Sequence, residues 1–162
     1  MKIELRFPRV SDAKRFCEIL NHPHFLYLCI KPSLAEEIQW IKDAPLKRKK
    51  NFEYNYAILF NGKLIGGCGI KIDQHRPYIG EIGYFIDEAF WGKGIVPKAV
   101  KLLEKIGFEK FGIIRMTILM HPKNKASKRV AIKCGYRREG YLKKSYINRG
   151  VPQDSLLYAK VR

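Results

Sequence analysis

Apolar and polar residues alternate at the start of the chain and then change to a helical spacing. Charged residues separate Ile3, Leu5 and Phe7, which predicts a half-buried strand over 2–8. From Ser11 onward the apolar residues fall on one helical face, and Ser11 is a suitable N-cap for that helix. The chain is therefore predicted to open with a strand followed by a helix.

A second helix is predicted after Pro32, because Ser33 and Glu36 have the spacing of a capping box. The segment 45–51 contains four consecutive basic residues, a composition that is typical of a solvated surface. We therefore expect this segment to be a loop between the helix and the next strand.

An antiparallel meander is predicted in the middle of the chain. Strands over 54–60 and 63–72 flank Asn61 and Gly62, a pair that favours the positive φ angles of a type I′ turn. The third strand is predicted over 78–87, and its composition suggests that both of its faces are covered.

The second half of the chain alternates helices and strands. A glycine-containing turn over 90–94 leads into a helix with an apolar stripe, and another helix is predicted between Asn124 and Gly135. The predicted strands are 113–120, buried on both faces, and a closing pair over 136–147 and 155–161.

Composition limits the possible classes of protein. With 162 residues, 46% hydrophobic and 29% charged, the chain fits one globular domain. Its apolar runs are far shorter than the roughly 20 residues that cross a bilayer. The charged N-terminal segment does not resemble a signal peptide, so we expect a cytoplasmic protein without membrane contact.

The net charge predicts an anionic partner. Lys and Arg number 32 against 15 Asp and Glu, which gives a formal charge of +17. A nucleotide cofactor, a ribosomal surface and nucleic acid all satisfy this charge. Four cysteines and four histidines show no zinc-ligand spacing, so we expect reduced core thiols and no metal; they are Cys17, Cys29, Cys68, Cys134, His22, His24, His75 and His121.

Two motifs carry a family resemblance. The segments 81–86 and 91–94, and then 124–140, resemble motifs of the GNAT acetyltransferases, in particular the RimJ/RimL-like branch that acetylates ribosomal proteins. The resemblance covers most of the chain and implies a single GNAT domain over 1–162. The implied fold is α/β, of the α+β type. It has a mixed sheet of about seven strands, helices on both faces, and a splay between the fourth and fifth strands.

The resemblance also implies acetyl-CoA as the co-substrate. A glycine-rich turn before a helix lets backbone amides approach a pyrophosphate. The implied cradle departs from the family pattern, because Val96 is bulky and Pro97 lacks an amide hydrogen; Lys93 and Lys98 offer compensating charge. The implied cradle residues are Gly92, Lys93, Gly94, Ile95 and Val96.

Three further residues are implied to contact the pantetheine arm. Phe85 and Ile86 are expected to bind it through their backbone groups, since the arm enters the splay almost as another strand. Asn124 is implied to lie beside it, although a plain helix N-cap explains this residue equally well.

Two residues are candidates for catalysis. Glu81 is implied as the acceptor of the amine proton, against the alternative of an exposed strand residue. Ser127 is a candidate donor to the departing thiolate, against an ordinary serine in the first helical turn. The tyrosine that many GNAT enzymes use is replaced by Ala131, and Cys134 is interpreted as structural.

The resulting function hypothesis is N-terminal acetylation of a protein, of the ribosomal-protein type, by direct attack in a ternary complex. Acetylation of a small amine (a polyamine, an aminoglycoside or an amino acid) is an alternative. Ten basic residues against the single acid Glu139 over 121–150 argue against a polyamine and allow RNA or ribosome contact. A catalytically silent RNA-binding adaptor is the second alternative. Both a monomer and a homodimer remain open.

Overall fold

A seven-stranded sheet with helices on both faces forms from the described residues. The computed structural model describes residues 2–27 and 30–162. Its strands are β1 (Ile3–Arg6), β2 (Glu53–Phe60), β3 (Lys63–Ile72), β4 (Ile79–Ile86), β5 (Arg115–Met120), β6 (Arg137–Asn148) and β7 (Val151–Val161). Its helices are α1 (Ala13–Leu20), α2 (Leu34–Lys49), α3 (Ile95–Lys110) and α4 (Lys125–Lys133), with short 3-10 turns at Val10–Asp12 and Glu88–Phe90.

The strand order is β1-β2-β3-β4-β5-β7-β6, and the neighbouring strands are antiparallel except for the parallel pair β4 and β5. The predicted mixed sheet is confirmed. Parallel pairing requires a crossover connection, and α3 supplies it between β4 and β5.

Two apolar clusters cover the two faces of the sheet. On one face, Ile95 and Leu103 of α3 pack with Ala131 of α4 against the sheet. On the other face, Phe16 of α1 and Ile41 of α2 pack against β2. We call these the α3/α4 face and the α1/α2 face. Helices on both faces were predicted and are confirmed.

The sheet opens between β4 and β5. The two strands pair only over residues 79–81 and 115–117, although β4 continues to Ile86 and β5 to Met120. Beyond Glu81 and Thr117 the two strands no longer form pairs, so a wedge-shaped gap separates them. This is the predicted splay between the fourth and fifth strands.

Two of the hairpin turns, those that join β2 to β3 and β6 to β7, use positive φ angles. Asn61 and Gly62 have φ of 47° and 80°, the expected type I′ geometry. Arg149 and Gly150, at 50° and 78°, form a second two-residue turn. Because this turn is so tight, β7 begins at residue 151, four positions before the predicted start of the strand.

The prediction of a loop over 45–51 is wrong, because α2 continues to Lys49 with Pro45 inside it. Basic residues at the end of a helix are stabilised by the negative end of its dipole. Two of them also have partners: Arg48 lies 3.9 Å from the centre of the Phe7 ring, and Lys47 pairs with Glu53 at 3.6 Å. The stems of these side chains thus cover apolar surface.

The N-cap predicted at Ser11 is also wrong. A 3-10 turn over Val10–Asp12 precedes α1, and its N-cap is Arg9. The carboxylate of Asp12 accepts from the Arg9 amide at 2.7 Å and from Arg6 at 2.7 and 2.9 Å. A charged residue that satisfies the amide and a neighbouring guanidinium together outcompetes the serine hydroxyl as a cap.

The sequence also wrongly predicted that β4 and β5 are covered on both faces. Glu81 and Gly83 of β4 and Leu119 of β5 are exposed, and all three lie on the α1/α2 face. Because α1 and α2 pack over β2 and β3, they leave the α1/α2 side of the two splayed strands open. This open side forms a cleft above the splay.

The cysteines agree with the prediction where they are described. Cys68 and Cys134 are buried and Cys17 is partly buried, all three as free thiols, while Cys29 lies outside the described residues. Among the described helices, every one is too short or too polar to cross a membrane.

Candidate active site

The strand register determines which backbone groups of β4 face the splay. The Asp87 amide donates to the Ile65 carbonyl at 2.8 Å, and in an antiparallel ladder such bonded pairs recur at every second residue. Phe85 opposite Gly67 is therefore also a hydrogen-bonded pair. The backbone of Phe85 is occupied by β3, and its ring packs edge-on at 5.8 Å from that of Phe16.

The neighbouring residues Tyr84 and Ile86 have the opposite orientation. Their backbone N–H and C=O groups point away from β3 and into the splay, where β5 does not pair with them. One of these groups has a side-chain partner, since Trp91 Nε1 donates to the Ile86 carbonyl at 3.0 Å. The splay thus offers unpaired backbone donors and acceptors to an extended polar ligand.

The turn before α3 has the geometry of an anion site. Gly92 and Gly94 have φ of 73° and 70°, and Gly94 is the N-cap of α3. A β-carbon on Gly92 would meet nothing within 4 Å, so the turn is open to solvent. The first amides of α3 lack partners within the helix and lie at the positive end of its dipole.

Val96 and Pro97, which depart from the family pattern, do not block this turn. Val96 packs against the core of the α3/α4 face, as the buried side chain of Ile95 does, so its bulk lies away from the turn. Pro97 is the third residue of α3, where the amide of an ordinary residue would have no partner within the helix.

A lysine that the sequence analysis missed lies beside this turn. The ammonium group of Lys133, in the last turn of α4, is 3.9 Å from the position that a β-carbon on Gly94 would occupy. Lys93 instead lies 5.1 Å from the centre of the Phe90 ring, and Lys98 is exposed. No local pattern predicts this position of Lys133, because only the packing of α4 against α3 brings it there.

Asn124 is a helix cap, as the plain alternative predicted. Its Oδ1 accepts from the Ser127 amide at 3.0 Å at the start of α4. This bond fixes the first turn of the helix, and with it the position of the Ser127 hydroxyl. Asn124 therefore supports the site through its cap whether or not its amide also binds a ligand.

Ser127 forms a hydroxyl pair with a tyrosine that the sequence analysis passed over. Its Oγ lies 2.7 Å from the hydroxyl of Tyr84, and Ser127 itself is buried. Burial raises the pKa of the Tyr84 phenol to about 12, so the phenol is protonated at neutral pH. The pair links β4 to α4 across the splay and holds dissociable protons at that point.

Glu81 lies on the other face of β4. It is opposite Lys71 of β3 and next to Thr117 of β5, at the point where the splay begins. The surrounding protein raises the pKa of its carboxyl above the usual value, and Lys71 opposes this effect. Since Tyr84 is three positions further along the strand, Glu81 and the Ser127 hydroxyl are on opposite faces.

Tyr27, His121 and Gln153 form a group of contacts next to the C-terminal end of β5. The rings of Tyr27 and His121 stack with centroids 4.8 Å apart, and His121 Nε2 lies 3.2 Å from Gln153 Oε1. The other ring nitrogen accepts from the Lys123 amide at 3.1 Å. Because both nitrogens of His121 have partners, the histidine positions the loop and has no nitrogen left to act as a base.

Cys134 is structural, as predicted. Its thiol is buried, burial raises its pKa, and Sγ donates to the Pro97 carbonyl at 3.6 Å. A protonated thiol held beneath the first turn of α3 is a weak nucleophile.

Sequence comparison identifies related proteins. A family model of the acetyltransferase (GNAT) domain matches residues 2–137. The chain is 26% identical over 148 residues to the uncharacterized N-acetyltransferase p20 of Bacillus licheniformis, covering 88% of this chain and 83% of p20. It is 25% identical over 142 residues to the ribosomal-protein-serine acetyltransferase of Escherichia coli, covering 88% of this chain and 76% of that enzyme.

Solved structures share the whole fold. The microcin C7 self-immunity acetyltransferase MccE, in complex with acetyl-CoA and AMP, superposes with a TM-score of 0.88 at 27% identity, covering 99% of this chain and 93% of MccE. The ribosomal L7/L12 α-N-protein acetyltransferase RimL, in complex with coenzyme A, has a TM-score of 0.89 at 23% identity, covering 99% and 94%. The second likeness is one of fold.

Proposed function

Because this chain belongs to the GNAT acetyltransferase family and is an acetyl-CoA-dependent N-acetyltransferase, we propose that its acceptor is the N-terminal α-amine of a protein. The family resemblance seen in the two motifs is confirmed, and relatives of the RimJ/RimL kind are among its matches. The acceptor and the roles of individual residues are the subject of the proposal.

The described residues fit acetyl-CoA. We assign the pyrophosphate to the open turn 92–96, with Lys133 as a nearby cation, and the pantetheine to the backbone groups of Tyr84 and the Ile86 amide, which face the splay. Lys93, beside the ring of Phe90, and Asn124, at the N-cap of α4, are assigned to the same cofactor site. When bound, acetyl-CoA supplies the acetyl thioester. The register favours Tyr84 over Phe85 as the backbone partner, because β3 already uses the groups of Phe85.

The observation that carries the acceptor assignment is the position of Glu81 in the open cleft, where the surrounding protein raises the pKa of its carboxyl. Freeing an α-amine of pKa near 8 at pH 7 costs about 1 kcal/mol, whereas a lysine amine costs roughly 4 to 5 kcal/mol. One carboxylate whose pKa lies closer to neutrality is an adequate base for the first acceptor. Glu81 takes the amine proton, directly or through one water molecule.

Ser127 supplies a proton on the opposite face. Its hydroxyl donates toward the departing sulfur, and the Tyr84 phenol, 2.7 Å away, holds that hydroxyl in place. A thiol of pKa near 8.5 is a good leaving group, so a hydroxyl pair suffices where other enzymes of the family use a tyrosine at the position of Ala131. The proton acceptor and the proton donor thus lie on opposite sides of β4.

Charge supports a protein acceptor over a polyamine. Residues 121–150 carry ten basic side chains, and their one acid, Glu139, is paired with Arg115 at 3.2 Å. Strand β6, which carries many of these charges, is exposed along most of its length at the edge of the sheet. A cationic small amine would be repelled there, whereas a ribosomal protein beside its RNA would be attracted. Such an acceptor implies a cytoplasmic enzyme.

Calorimetric titration with acetyl-CoA tests the cofactor site. We expect micromolar binding by the parent protein. Gly94→Trp should not bind, because the indole ring fills the turn 92–96 to which the pyrophosphate is assigned. Gly62→Trp is the matched control, because Gly62 also has a positive φ but lies in the remote hairpin turn. Equal binding by the parent and Gly94→Trp would overturn the assigned site.

Two peptides test the acceptor. One has a free N-terminus and no lysine, and the other has a blocked N-terminus and one lysine. Mass spectrometry after incubation with acetyl-CoA should show the acetyl group only on the first peptide. Acetylation of the lysine peptide, or of spermidine in place of both peptides, would contradict the proposal while leaving the cofactor assignment intact.

A further inference from the structure

His22 and His24 lie next to Glu88, which is more than 60 positions away in the sequence, beside the turn 92–96 (the phosphate turn). His22 Nδ1 lies 3.8 Å and His24 Nε2 lies 3.3 Å from Glu88 Oε2, and the three ligand atoms all fall within 4.8 Å of one another. We propose that this His22–His24–Glu88 cluster binds a divalent transition-metal ion, with Zn²⁺ as the best match. The histidine spacing alone gave no such signal, because the third ligand is contributed by another part of the chain.

The donor set suits a borderline metal ion. Two imidazole nitrogens and one carboxylate oxygen are ligands that zinc takes in open sites, with water completing the tetrahedron. Donors about 2.1 Å from a tetrahedral ion lie about 3.4 Å from each other. The two separations from Glu88 are near that value, and the two imidazole nitrogens lie within 4.8 Å of each other.

The cluster is held from several sides. The two imidazole rings stack with centroids 4.7 Å apart, and Pro23 restricts the backbone between them. The edge of His24 meets the ring of Trp91 at 6.2 Å. The His24 amide approaches His22 Nδ1 at 3.4 Å, a long hydrogen bond that a metal ion would replace.

Water reaches all three ligands, so an ion can enter. The side chains of His22, His24 and Glu88 are 43%, 52% and 41% exposed. The adjacent acid, Asp87, is already paired with Arg15, which leaves the Glu88 carboxylate to compensate the charge of the ion. One carboxylate gives a site of moderate affinity that can exchange its ion.

The location gives the site a structural consequence. His22 and His24 lie in the segment between α1 and α2, which borders the acceptor cleft through Tyr27, and Glu88 lies in the 3-10 turn that leads to the phosphate turn. A bound ion would link these two segments directly, beside the ring of Trp91. The ion would thus couple the position of residues 22–27, beside the cleft, to the position of the turn 92–96. This inference does not depend on which amine is acetylated.

Metal titration of a tag-free protein tests the proposal. We expect one equivalent of Zn²⁺ by calorimetry, and one equivalent of Co²⁺ to produce visible d–d absorption bands of low coordination. His24→Gln and Glu88→Gln should each weaken binding by at least about tenfold. His75→Gln is the matched control, because His75 is exposed and outside the cluster.

The melting temperature provides a second readout. Zn²⁺ should raise it in the parent and in His75→Gln but not in Glu88→Gln, because an ion that binds only the folded state stabilises it. If the ion does not bind the parent, or binds equally well to Glu88→Gln, the site does not exist as proposed.

Discussion

The hydroxyl oxygen of Tyr84 lies 2.7 Å from Oγ of Ser127, although the two residues are 43 positions apart. The bond spans the splay near the start of α4, and the Asn124 cap fixes one end of it. Burial holds the pKa of the phenol at about 12, so both hydroxyls keep their protons throughout the working pH range. The hydroxyl pair can therefore donate hydrogen bonds at neutral pH, because neither hydroxyl has lost its proton.

Removing the Ser127 hydroxyl should slow the chemical step. Ser127→Ala is expected to lower kcat by about a hundredfold, the lower end of the range for a lost general acid. Tyr84→Phe should lower it by about fivefold, since it removes one positioning hydrogen bond. Steady-state kinetics with saturating acetyl-CoA measure both effects.

The control for these variants is Tyr141→Phe, which removes a hydroxyl that donates to Asp154 at 2.6 Å on the exposed hairpin. Its kcat should match that of the parent. A Ser127→Ala enzyme with unchanged kcat would show that the pair supports only the fold.

Lys133 should contribute to cofactor affinity through charge. Lys133→Ala is expected to weaken acetyl-CoA binding by about two- to fivefold, the size of a solvent-accessible ion pair. The difference from the parent should shrink as salt is raised, because the interaction is screened. Calorimetry at low and high salt checks this, with Lys143→Ala on the exposed β6 strand as the control. A deficit that does not change with salt would point to altered packing of α4.

Local signals in the sequence predicted most of the elements. The capping box of Ser33 and Glu36 has both of its bonds, at 2.7 and 3.2 Å, and the Asn61-Gly62 turn has its positive φ angles. These features depend on neighbouring residues alone, so the sequence determines them. The continuation of α2 past Pro45 was missed because the partner of Arg48, the ring of Phe7, is far away in sequence.

The parts of the site that were missed depend on register and packing. The register of β3 against β4 decides whether the backbone groups of Phe85 or those of Tyr84 face the splay, and a shift of one residue would exchange them. The amino-acid composition of the strands does not predict this register. Lys133 reaches the phosphate turn only because α4 packs against α3. The family motifs predicted a glycine turn before the third helix, which is present, but they said nothing about either contact.

Gly66 should be essential for the position of β4. A β-carbon at this residue would clash with the carbonyl oxygen of Phe85 and lie 2.8 Å from Cα of Ile86, so the backbone of β4 would have to move. Gly66→Ala is expected to cost about 1–3 kcal/mol. Denaturant unfolding measures it against Gly83→Ala, where a β-carbon meets nothing within 4 Å. Equal stability of the two variants would contradict the close packing at Gly66.

The pH dependence of Glu81 should separate its catalytic role from its effect on stability. Its carboxyl has a raised pKa in the fold, so activity should rise with pH through that pKa, along an acidic limb above the usual glutamate range. A raised pKa also means that its contribution to stability is present at low pH and lost as the carboxyl ionises. Glu81→Gln should therefore be more stable than the parent at neutral pH and equally stable in acid.

Glu37 of α2 is the matched control for this comparison. It is buried, and burial alone raises the pKa of its carboxyl, so Glu37→Gln should also be more stable than the parent at neutral pH. Its kcat/KM should stay at the parent level, whereas Glu81→Gln should lose about tenfold or more at pH 7 together with the acidic limb. Melting curves and pH–rate profiles of both variants provide the measurement. If Glu81→Gln kept the parent profile, Glu81 would be an exposed strand residue, and the amine would lose its proton to water.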